Sequence, residues 1–167
     1  MGTQINGRLD ENVKTYIAAQ GLLLTATLGD TMYVSLKNYK KLQIIIAIAD
    51  GTSVTGTAIT LKQAKDVAAT DEKPLVFTRS LQNRDWAAAK VMAETAVTAS
   101  TFTTVNGSNS KIQLYILDVD SSTLDTEDGY DCVRVDVTAH ASTNPLGSIV
   151  IYNLYNPRYS DANALID

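Results

Sequence analysis

The sequence has little from which a reactive centre is made. Its 167 residues include one cysteine, Cys132, one histidine, His140, and one tryptophan, Trp86. A lone cysteine cannot close an intramolecular disulfide, and with a single histidine beside it no Cys/His zinc set can be assembled. Charged residues make up only 19% of the chain, 14 basic against 18 acidic, for a net charge of −4. A phosphate backbone calls for clustered Lys and Arg, so nucleic acid is not an expected partner. The longest unbroken apolar run, residues 44–49, is far short of the ~20 residues that cross a bilayer, so no membrane is expected either. No basic start followed by an apolar segment opens the chain, and no signal peptide is expected.

What is present is β-forming. Apolar residues reach 45%, a globular composition, and the length suits one domain. Thr, Val, Ile and Tyr are abundant from residue 22 onward, and turn signals recur every ~10 to 15 residues. Strands are expected at residues 32–36, 59–64, 75–78, 133–137 and 148–155, with Asn156-Pro157 ending the last. Residues 42–49 are apolar apart from Gln43, which predicts a strand buried on both faces. Residues 98–105 and 111–119 flank the polar segment 106–110, the pattern of a hairpin. Residues 85–96 predict a loop with one helical turn, then a strand, and residues 121–129 a polar connection with a turn near Leu124. The fold class that follows is all-β: an antiparallel β-sandwich, jelly-roll-like or immunoglobulin-like, of about eight or nine strands. Residues 1–20 stand apart. Ile5, Leu9, Val13, Tyr16 and Ile17 fall at helix-like spacing, so this segment is expected to be a short helix from Asp10 to Gly21 or an extended arm. The expected division is an arm over 1–20, a sandwich over 21–160 and a tail over 161–167.

The tests for chemistry come out negative. Cys132 and His140 fall on one predicted strand, about 26 Å apart at the usual rise, and cannot form a catalytic pair. His140 has no G-x-S-x-G serine to serve. Gly51 and Gly56 have P-loop spacing, but Thr57 and Ala58 stand where Lys and Ser/Thr are needed. Asn106-Gly107-Ser108 is formally a glycosylation sequon and reads as turn chemistry. Asp118, Asp120, Asp125, Glu127, Asp128 and Asp131 form an acidic run. Its start mimics a Ca²⁺ loop, with Asp118, Asp120, Asp125 and Asp128 as ligands. Thr123 replaces the turn glycine and Gly129 the bidentate glutamate, which favours a solvated acidic loop instead. No pair among these carboxylates is singled out as a glycosidase pair. The expectation is a protein that is not an enzyme and holds no cofactor.

Several stretches carry a resemblance. They are Gly29-Asp30 through Val34-Ser35-Leu36-Lys37-Asn38-Tyr39, Ile59-Thr60-Leu61-Lys62-Gln63-Ala64, Leu124-Asp125, Gly129-Tyr130-Asp131-Cys132-Val133-Arg134-Val135 and Asn156-Pro157-Arg158-Tyr159. In this order they resemble the small β-rich virion proteins encoded beside the major capsid gene of tailed bacteriophages, the capsid decoration or cement proteins. The resemblance implies a structural protein on the outer capsid surface of the virion. Its implied partners are the major capsid protein and its own copies, as a homotrimer. The expected contact residues are Ile5, Leu9, Val13, Tyr16 and Ile17 at the N-terminus and Tyr155, Arg158 and Tyr159 at the C-terminus, where Tyr and Arg are typical interface anchors. A head–tail joining or tail structural protein, and a carbohydrate-binding sandwich, are the alternative readings.

Overall fold

The computed structural model of the chain describes residues 13–21, 31–49, 56–86, 88, 91–104, 112–138 and 147–158. These form an antiparallel β-sandwich. One sheet has six strands: β1 (Val13–Gly21), β3 (Tyr39–Ala49), β6 (Arg79–Asn83), β7 (Ala93–Ala96), β9 (Ile112–Asp120) and β11 (Gly147–Pro157). Their order across the sheet is β1-β11-β3-β9-β6-β7. The second sheet joins β2 (Val34–Ser35), β10 (Cys132–Val137), β4 (Ala58–Ala64) and β5 (Lys73–Pro74), with β8 (Thr101–Thr103) also pairing β4. Two 3₁₀ turns, Ser121–Thr123 and Thr126–Asp128, sit between β9 and β10.

The core follows from period-2 alternation. Leu42, Ile44, Ile46 and Ile48 of β3, Tyr115 and Leu117 of β9, and Val150, Tyr152 and Leu154 of β11 point inward from the large sheet. Ile59 and Leu61 of β4 with Val133, Val135 and Val137 of β10 meet them from the small one. Tyr152 ties the sheets together. Its hydroxyl accepts from the Val135 N–H (2.9 Å) and donates to Thr31 Oγ1 (3.2 Å), while the Thr31 hydroxyl donates to the Val135 carbonyl. β2 has ended by this point, so two side chains take up backbone groups of β10 that no strand reaches. Gly56 admits no side chain, because a Cβ there would lie 2.0 Å from the Thr104 carbonyl oxygen.

Several expectations are corrected. Residues 13–21 are extended and not a helix; they are β1, zipped antiparallel onto β11 from Val13↔Tyr155 to Gly21↔Ser148, with a bulge between Ile17 and Ala19. Pairing with β11 supplies the hydrogen bonds that helix-like spacing could not, and the β-branched Val13, Thr15 and Ile17 suit it. Residues 75–78 form no strand; the strand begins at Arg79. The expected hairpin is absent, because β8 pairs with β4 while β9 lies between β3 and β6 in the other sheet. β11 runs through Pro157, at its end, instead of stopping before it. β3 is buried on one face only.

Candidate partner-binding surface

The face of β3 turned away from the core is built of Gln43, Ile45, Ala47 and Ala49. The register of the ladder sets what lies beside each. Ile45 is opposite Ile151 on one side and Ile116 on the other, Ile17 is opposite Ile151, and Leu81 is opposite Ile116. A five-strand row of aliphatic side chains therefore crosses the outer face of the large sheet. A second row, Ile149, Ala47 and Leu114, runs beside it, and Ile112 lies beyond. These side chains are half-buried by one another, whereas Ile17 is 58% and Ile112 50% exposed. Among the described residues the two sheets and the two 3₁₀ turns account for every element, and no layer covers this face.

Toward the other end of the sheet the same face turns polar. Thr15 donates to Asn153 (2.8 Å), Asn153 to Gln43 (3.4 Å), and Gln43 to Asp118 (3.4 Å), one cross-strand rung beside the aliphatic row. The next rung is Val13, Tyr155, Lys41 and Asp120.

The outer face of the small sheet has the opposite character. Lys62 contacts Glu72 (2.6 Å) and Asp136 (2.8 Å), and Arg134 contacts Glu72 (2.8 Å) and Asp136 (3.0 Å). Tyr33 donates a hydrogen bond to Glu72 (2.7 Å). Bonds to Asp136 and Glu72 raise the Lys62 ammonium above its ordinary value. Burial opposes the Glu72 carboxylate, but the Lys62 and Tyr33 hydrogen bonds and the Arg134 charge outweigh it and hold Glu72 below the usual range. These charges are paired with one another, unlike the aliphatic face of the large sheet.

The acidic run is dispersed. Asp120 caps the first 3₁₀ turn through the Ser122 N–H (3.0 Å) and hydroxyl (2.8 Å), and those bonds lower its pKa. Asp125 is paired with Lys73, which lowers its pKa in the same way. Gly129, at φ +86°, ends the second turn. Among the described residues no three acidic, histidine or cysteine side chains converge as a metal site would require. Cys132 is buried against Tyr33 and Ala64; burial and the neighbouring Asp131 push its thiol up to about 12. His140 lies outside the described residues.

Of the expected contact residues, Ile17 stands in the aliphatic row and Val13 and Tyr155 in the charged rung. Tyr16 faces the core edge, with the Lys14 ammonium 5.1 Å from its ring. Arg158 lies at the end of the sandwich beside Ser121. Ile5, Leu9 and Tyr159 lie outside the described residues. Sequence reasoning missed Ile45, Ile116, Ile151 and Leu81. For Ile45 the signal was the apolar run at 44–49, which in an antiparallel sheet with one core face announces an apolar outer face as readily as a second buried one.

No protein family model matches the chain, and no curated protein matches it. Among solved structures, the crystal structure of the SPBc2 prophage-derived protein YomS is similar over 87% of this chain and 94% of that one, at 10% identity and a TM-score of 0.46.

Proposed function

We propose that this chain is a structural virion protein of a tailed bacteriophage, a decoration protein that binds the outside of the icosahedral head and stabilises it. The observation that supports the reading is the aliphatic row of Ile17, Ile151, Ile45, Ile116 and Leu81, which no element among the described residues covers, a broad binding face in place of a reactive pocket. The partner set against it is the major capsid protein, as the sequence resemblance implies. Work is done by binding energy. A protein that binds the assembled shell and not its loosened form stabilises the shell by mass action. Copies joined as a trimer engage several shell subunits at high effective concentration, so each contact can be modest.

The test is co-sedimentation of the purified chain with capsids of its own phage, together with its copy number per virion by quantitative mass spectrometry. Saturable binding at hundreds of copies supports decoration. A copy number of about a dozen would replace this reading with a head–tail joining or tail ring, whose closed symmetry fixes a small count. The carbohydrate-binding alternative calls for aromatic platforms, and the outer face of the large sheet is aliphatic.

A further inference from the structure

The charged end of the aliphatic face opens into a groove at one end of the sandwich. Two adjoining cavities, of about 200 Å³ and about 460 Å³, share Ser121, Thr126 and Arg158. Four cations line them: Lys37, Lys40, Lys41 and Arg158. Their two carboxylates, Asp120 and Asp131, already accept hydrogen bonds, Asp120 from Ser122 and Asp131 from Ser35 (3.4 Å) and the Cys132 thiol (3.0 Å). Among the described residues none of the three lysines forms an ion pair. Arg158 is held by neutral acceptors, donating from Nη2 to Ser121 Oγ (2.9 Å) and from Nε to the Tyr39 carbonyl (3.4 Å), while its backbone N–H donates to the Asn38 carbonyl (2.9 Å). The guanidinium is thus oriented by neutral groups, with the nearby Asp120 carboxylate offsetting part of the charge it shares with Lys41. In a chain of net charge −4 this is a local excess of two positive charges beside the hydroxyls of Ser121, Ser122 and Thr126.

We propose that this groove binds carboxylates of an acidic peptide segment carried by the partner that docks on the aliphatic face. The proposal rests on the reading of that face as a docking surface. Lys41 precedes Ile45 by four positions on the same side of β3, a separation of about 13 Å, so one extended segment spans both features. Peptide is favoured over nucleic acid because four cations against two carboxylates match one or two ligand carboxylates and fall short of the Lys/Arg cluster that a continuous run of phosphates requires.

The experiment is an amide NMR titration of the full chain with an acetylated hexaglutamate peptide, alongside a decathymidine oligonucleotide. The expected result is saturable shifts centred on Ser121, Ser122 and the Arg158 side-chain N–H, weakening several-fold from about 50 mM to about 300 mM salt. The double variant Lys40→Gln/Lys41→Gln removes two cations whose side chains form no ion pair within 4 Å among the described residues. It should lower peptide affinity about tenfold with an unchanged melting temperature. Absence of saturable shifts at these residues, or equal affinity in the double variant, overturns the site. Tighter binding of the oligonucleotide than of the peptide overturns the choice of ligand. Because the probe is a free peptide, peptide binding without capsid co-sedimentation removes the capsid reading and leaves the groove standing.

Discussion

Adjacent residues Ile44 and Ile45 offer opposite outcomes for one substitution. Ile44 is fully buried in the core, and Ile45 lies on the outer face between Ile151 and Ile116. Threonine keeps the β-branched shape and strand preference at both sites. At position 44 it removes about one methylene's worth of transfer energy, leaves a small cavity, and buries a hydroxyl in an aliphatic layer. Together these cost about 3 kcal/mol. At position 45 the hydroxyl reaches water and the loss is below about 1 kcal/mol. With a urea slope of about 2 kcal/mol/M for a domain of this size, Ile44→Thr should lower the unfolding midpoint by about 1.5 M and Ile45→Thr by less than about 0.5 M. Far-UV circular dichroism and Trp86 fluorescence report the transition. Capsid co-sedimentation should reverse the ranking among folded protein, with Ile45→Thr weakening binding about tenfold, as for an anchor central to an interface. Equal destabilisation by the two variants would mean that the outer face is covered within the chain itself. A stable Ile45→Thr with undiminished capsid binding would remove the aliphatic row as the docking surface.

Tyr152→Phe strips the Val135 N–H of its acceptor and should cost about 2 kcal/mol, or about 4–8 °C in melting temperature; a loss below about 0.5 kcal/mol in calorimetry would show that the inter-sheet tie is not formed. Glu72 is held below its ordinary 4.5, so its contribution is complete above that value and is lost as pH falls through its lower folded value. Lys62, raised above 10.5, contributes fully below that value and loses its contribution as pH rises through its higher folded value. A stability plateau between these limits is expected in urea titrations at stepped pH, with a smaller acid-side loss in Glu72→Gln. Cys132 should resist a disulfide-exchange reagent at pH 8 in the native protein, since its thiol is buried and pushed up to about 12, and should react with one equivalent once unfolded in urea.

The β1 segment shows where local reading runs out. Val13, Tyr16 and Ile17 match a helical spacing, but β11 offers an open row of hydrogen-bonding groups, and pairing outweighs a weak helical preference. The hairpin expected between residues 98–105 and 111–119 failed for a related reason. Turn chemistry predicts that the chain reverses, not which sheet receives the strand, and Thr101–Thr103 finds its partner in Ala58, Ile59 and Thr60. Arg158 and Ser121 are 37 positions apart and belong to one groove because β11 runs alongside β3, whose other edge pairs with β9 just ahead of the first 3₁₀ turn.

The sequence by itself determined that this is an antiparallel β-sandwich: β-branched residues and regularly spaced turn signals are local properties, and they leave strands as the economical structure. It also determined the scarcity of cysteine, histidine and charge. Only the tertiary structure decided which side of residues 42–49 is core and which is surface. From residue 44 to 49 the run is apolar at every position and carries no period-2 signal, so its orientation comes from which neighbours the ladder aligns and from the single opposing sheet that covers one face. The same register lines up Ile17, Ile151, Ile45, Ile116 and Leu81 from five separate strands, an aliphatic row that exists only once the sheet is assembled.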